Sequence, residues 1–132
     1  MVERDQPTQK EVTVQETATD SVAADISREI VRIYSRFHGR GPTKARTVFH
    51  GDMVVTVLEE VFTKVEEVLV RAGRIEQIQG QRQAIEDQIG PLFRQAVESL
   101  TGRSVRVSIS QVTEEGIAVE VFVLTSDPAA LL

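Results

Sequence analysis

Ser104-Val105-Arg106-Val107-Ser108-Ile109-Ser110, followed after Thr113-Glu114-Glu115-Gly116 by Ile117-Ala118-Val119-Glu120-Val121-Phe122-Val123, decides the fold. Successive strand side chains point to opposite faces, so alternation over this length marks two half-buried strands. It groups Val105, Val107 and Ile109 on one face, and Ile117, Val119, Val121 and Val123 on another. We read these valines and isoleucines as core-facing, with Glu120 on the wet side. The acidic, glycine-ended tetrapeptide between the runs reads as a hairpin turn.

Upstream, Thr47-Val48-Phe49 and Met53-Val54-Val55-Thr56-Val57-Leu58 flank the short turn His50-Gly51-Asp52. The second of these runs is apolar at nearly every position, which predicts a strand in the middle of the sheet. Helices account for the rest. Val22, Ile26, Ile30, Ile33 and Phe37 recur at helical spacing after a cap at Asp20 or Ser21, and Gly39 ends the pattern. Thr63 and Glu66 form a capping box for a helix through Val65, Val68, Leu69 and Ala72, ending near Gly73. From Arg74 a third pattern runs through Ile75, Ile78, Ile85, Ile89, Leu92, Phe93, Ala96, Val97 and Leu100 to Gly102. Gly90-Pro91 predicts a kink or restart within it. The order α-β-β-α-α-β-β predicts an α+β fold: a four-stranded, mostly antiparallel sheet with helices packed on one face. Residues 1–20 read as a disordered acidic lead-in, 21–126 as a single domain and 127–132 as a frayed tail.

Composition narrows the chemistry. The 132-residue chain has no Cys, no Trp, one Tyr and five Phe, so its core is aliphatic and it has neither disulfides nor thiolate ligands. Residues 1–20 lack the apolar run of an export signal, and no stretch approaches a membrane span. These features predict a cytoplasmic protein with no membrane span.

Net charge is −5, yet between Glu29 and Asp52 there is no acidic residue, while Arg32, Arg36, Arg40, Lys44 and Arg46 all occur. Within that stretch, Gly39-Arg40-Gly41-Pro42-Thr43-Lys44-Ala45-Arg46 combines glycine-framed backbone donors with positive charge. It is the candidate anion-binding loop, with Gly39, Arg40, Gly41, Thr43, Lys44 and Arg46 as its residues. A phosphate or carboxylate sensor, or a small enzyme, would use it. The plain alternative is a solvated helix end whose cations meet the helix dipole. It lacks the P-loop pattern. Acidity and scarce aromatics disfavour nucleic acid as a partner, although a glycine loop beside a small sheet invites that comparison.

No catalytic constellation is legible, and no cofactor is implied. His38, His50 and Asp52 lack metal-ligand spacing and read as surface residues. The pairs Glu59-Glu60, Glu66-Glu67 and Glu114-Glu115 read as solvated faces. Ser104, Ser108 and Ser110 have no identifiable base. A non-enzymatic protein is the expectation.

Association has its own signal. Val54, Leu58, Phe122 and Leu124, with Ala118, occupy strand positions opposite the expected core set. Helices on one face would leave them exposed, so they are the expected interface of a homodimer, or of a complex with a protein partner.

Three segments together resemble a bacterial family: residues 39–46, then Gly51-Asp52-Met53-Val54-Val55-Thr56-Val57-Leu58-Glu59, and finally Ala118-Val119-Glu120-Val121-Phe122-Val123-Leu124. In order and spacing they are similar to the MpsC-like family, named after a component of a sodium-translocating, membrane-potential-generating system. The similarity covers roughly residues 24–125. It implies an accessory or regulatory role, with a membrane transporter component among the implied partners, and it transfers no catalytic residues.

Overall fold

The computed structural model describes residues 18–126. The predicted tails lie outside that range, except that residues 18–20 already belong to the first helix. The elements are α1 (Ala18–His38), β1 (Lys44–His50), β2 (Met53–Glu59), α2 (Lys64–Arg71), α3 (Ile75–Thr101), β3 (Val105–Val112) and β4 (Ala118–Leu124). The α+β reading and the two hairpins hold. The sheet has the order β1-β2-β4-β3 with every neighbouring pair antiparallel. The run that is apolar throughout, β2, is indeed central.

Local signals act as the sequence predicts at most helix ends, although Asp20 and Ser21, read as the cap of α1, lie inside it. Gly39 and Gly102 take the left-handed conformation that stops α1 and α3. The Thr63 side chain accepts from the Glu66 backbone N–H at 3.2 Å, while the Glu66 carboxylate accepts from the Thr63 N–H at 2.9 Å. Thr63→Ala breaks this capping box and is expected to cost about 1 kcal/mol in urea-melt stability. Pro91 lies inside a single continuous α3, in place of a restart.

The phase of the alternation is the reverse of the reading above. Val54, Leu58, Ala118, Phe122 and Leu124 are core residues facing the helices, at most 2% exposed. The expected interface set is therefore the core. Ile109 is 57% exposed and Val107 37%, and Val119, Val121 and Val123 are only half-buried. The physical reason is size: Phe122, Leu58 and Leu124 fill the space beneath the helices, while uniform valines tile the open face. Across the strands, that open face reads Val48, Val55, Val121 and Ile109 in one row, with Arg46, Val57, Val119 and Gln111 in the next.

The core face of α1 holds at Val22, Ile26, Ile30 and Ile33 but fails at its end, and α2 is rotated from expectation. Phe37 is 44% exposed, and Tyr34, one turn after Ile30, takes its place in the core. On α2 the buried residue is Glu66, with Leu69 and Val70 packed against the core, whereas Val65 and Val68 face solvent. Fixing Glu66 inward turns positions 65 and 68 outward by helical geometry.

Candidate functional site

The expected anion loop does not gather its cations. The strand begins at Lys44, so Lys44 and Arg46 are strand residues, both exposed, flanking the inward Ala45. Arg40 Nη1 instead donates to the Phe62 carbonyl at 2.6 Å, tying the end of α1 to the segment before α2. Gly41 packs on α1 with no room for a Cβ against Ser35 Oγ. Thr43 bonds to Glu60 across the base of the β1–β2 hairpin. One arm of Arg40 is thus committed to a backbone carbonyl.

His38 and His50 are at opposite ends of the molecule. His38 lines a cavity with Val112 and Ala118, whereas His50 pairs with Met53 at the far end of the sheet, beside Asp52. The three residues are not brought together, and His38, read as a surface residue, is half-buried in the cavity wall.

Polar chemistry converges elsewhere, inside the core. On the sheet's inner face Thr47, Thr56, Glu120 and Ser110 stand in register across all four strands. Ser27 on α1 meets Thr47 at 2.7 Å, Thr47 meets Thr56 at 2.8 Å, and Ser110 donates to Glu120 Oε2 at 2.8 Å. The seam ends at Glu86 on α3, which lines the same cavity as Glu120 and interacts with its carboxyl. Burying a charge is costly without a partner. Burial accordingly pushes Glu86 up to about 7, against opposing hydrogen bonds from Ser110 and Glu120, with the Asp87 charge adding to the rise. Burial and then the Glu86 charge push Glu120 up as well.

Beside this pair lies the one buried ion pair among the described residues. Arg82, 6% exposed, donates from Nε to Glu66 Oε2 at 2.8 Å and from Nη2 to Glu66 Oε1 at 2.6 Å. It also donates from Nη2 to the Val61 carbonyl at 2.9 Å and from Nη1 to the Tyr34 hydroxyl. Its guanidinium lies over the Tyr34 and Phe62 rings. Burial works to raise the Glu66 carboxyl, but the hydrogen bonds from Arg82 and Thr63 outweigh it and hold the group below its usual range. Burial raises the Tyr34 hydroxyl, keeping it protonated. His38, its ring 4.3 Å from that of Tyr34, is pushed down to about 4 by burial and then by the Arg82 charge, so it is neutral at pH 7.

These groups surround a cavity of about 270 Å³ between α1, α3 and the β3–β4 hairpin. Its walls include Tyr34, His38, Arg82, Glu86, Ser110 and Glu120. Sequence reasoning missed every one of these as a cluster. The available signals were faint: a Glu in a strand otherwise apolar on that face, and an Arg within an apolar helical stripe.

Residues 18–126 match the model of the family described as Na+-translocating membrane potential-generating system (MpsC). No curated protein and no solved structure matches the chain significantly. No helix among the described residues is long and apolar enough to cross a membrane.

Proposed function

This chain belongs to the MpsC family, and from that premise we propose that it is a non-enzymatic accessory protein that pairs with a second copy of itself through the open sheet face and serves a membrane-potential system in that form. The observation that carries this reading is the sheet face that no helix covers among the described residues, tiled by Val48, Val55, Val57, Val119, Val121, Val123, Val107 and Ile109. Contiguous apolar surface of this kind is uncommon on a monomer. A two-fold pairing sets like against like, so it needs a centre without charge. Here the ionisable side chains, Lys44, Arg46, His50 and Glu59, stand at the margins of the face. Side chains of uniform height suit sheet-on-sheet stacking at about 10 Å.

Sedimentation at micromolar concentration tests the pairing. The wild type is expected to sediment as a dimer, and Val121→Asp as a folded monomer with unchanged far-UV circular dichroism. A monomeric wild type would sink the reading. A rise in melting temperature with inorganic phosphate that Lys44→Glu abolishes would move function to the basic residues after α1 instead.

A further inference from the structure

The strongest unassigned arrangement is the acid pair between α3 and the sheet, next to a cavity and next to a weak point in the helix. Glu86 lies about one turn before Gly90 and Pro91 on α3. Proline supplies no N–H to the carbonyl of Asp87, and glycine is a poor helix former, so the helix is most easily bent there. Residues 75–89 are held by the Arg82 bonds, Gln79 Nε2 to the Val112 carbonyl at 3.0 Å, the buried Ile78 and Ile89, the partly buried Ile75 and Ile85, and the approach of Glu86 to Glu120 in the cavity wall. Beyond the proline, Phe93 and Val97 anchor the remainder of α3 in the core.

We propose that Glu86 and Glu120 form a proton-operated latch closing the N-terminal part of α3 onto the sheet, and that release swings this part outward about Gly90 and Pro91, widening the cavity. With the proton present, the two carboxyls are bridged and carry one negative charge. Without it, two carboxylates oppose each other in a medium of low dielectric. No counter-charge relieves them. From α3, Arg82 faces the cavity but is committed to Glu66 of α2, and Asp87 adds a further negative charge. From α1 come Tyr34, protonated, and His38, neutral. From β3 comes only the Ser110 hydroxyl, and from β2 the Thr56 hydroxyl stands beside Glu120 in the register.

The sign of the response follows from linkage. Burial makes both carboxyls easier to protonate in the closed state than when released. Their stabilisation is complete below the ordinary value of 4.5, and the Glu86 share of it is lost as pH rises through about 7. One proton lost on opening changes the opening equilibrium by about tenfold per pH unit in that window.

Amide exchange of the full chain between pH 5 and 8, corrected for intrinsic rates, tests the latch. Protection across residues 75–88 is expected to fall about tenfold per pH unit up to pH 7 and then level, while residues 93–100 keep theirs. The Glu86→Gln/Glu120→Gln variant is expected to show no such dependence, and His50→Gln to retain it. The same profile is expected in Val121→Asp, so the latch stands or falls independently of pairing. Equal loss of protection on both sides of Pro91, or a slope that survives in the double variant, overturns the proposal. If the double variant does not fold, the comparison of the two segments in the wild type decides alone.

Discussion

Arg82→Ala is expected to lower the unfolding free energy by about 3–5 kcal/mol, because it strands the buried Glu66 carboxylate without its guanidinium. The loss extends past one ion pair. The same side chain satisfies the Val61 carbonyl and the Tyr34 hydroxyl, so three structural segments lose a common partner. Arg82→Lys is expected to recover little, since an ammonium cannot reproduce two parallel bonds to Glu66 while reaching the other acceptors. Adding Glu66→Gln to Arg82→Met should restore part of the loss, because no charge is then left buried alone. Urea melts of the four proteins read the outcome. An Arg82→Ala protein within 1 kcal/mol of wild type would mean that the network is not what holds α2 and α3 together.

Phe122→Ala is expected to cost about 3–5 kcal/mol, the usual penalty for removing a fully buried ring. Ile109→Ala, on the opposite face, is expected to shift stability by about 0.5 kcal/mol or less when measured in a monomeric Val121→Asp background. The two substitutions discriminate directly between the two assignments of the sheet faces. A costly Ile109→Ala with a tolerated Phe122→Ala would restore the assignment that alternation alone suggests.

That assignment shows where legibility stops. Alternation in residues 105–123 reveals that strands exist, and the glycines at 39 and 102 and the Thr63–Glu66 pair reveal where helices end or begin. These are local signals, complete within a few residues. The phase is different, because β2 and β4 carry apolar side chains on both faces, and only Glu120 marks one set as polar. A lone glutamate is ordinarily wet. Here its partners are Ser110, ten residues back, and Glu86, on another element altogether. The Arg82 hub likewise joins residues 16 to 48 positions apart. Spacing along the chain carries no record of such meetings. The basic stretch was visible for the opposite reason: its charges are contiguous in sequence, although the fold then disperses them.

Among the described residues the strand order also leaves two open edges, each a row of backbone donors and acceptors able to recruit another strand. On β1 the exposed Lys44 and Arg46 bring charge to that edge. On β3 the ladder is interrupted between Val105 and Val107, where Arg106 stands exposed. An incoming strand would meet repulsion on one side and a broken register on the other. Cations that look like a lure for anions thus act as sentries against sideways growth into fibrils.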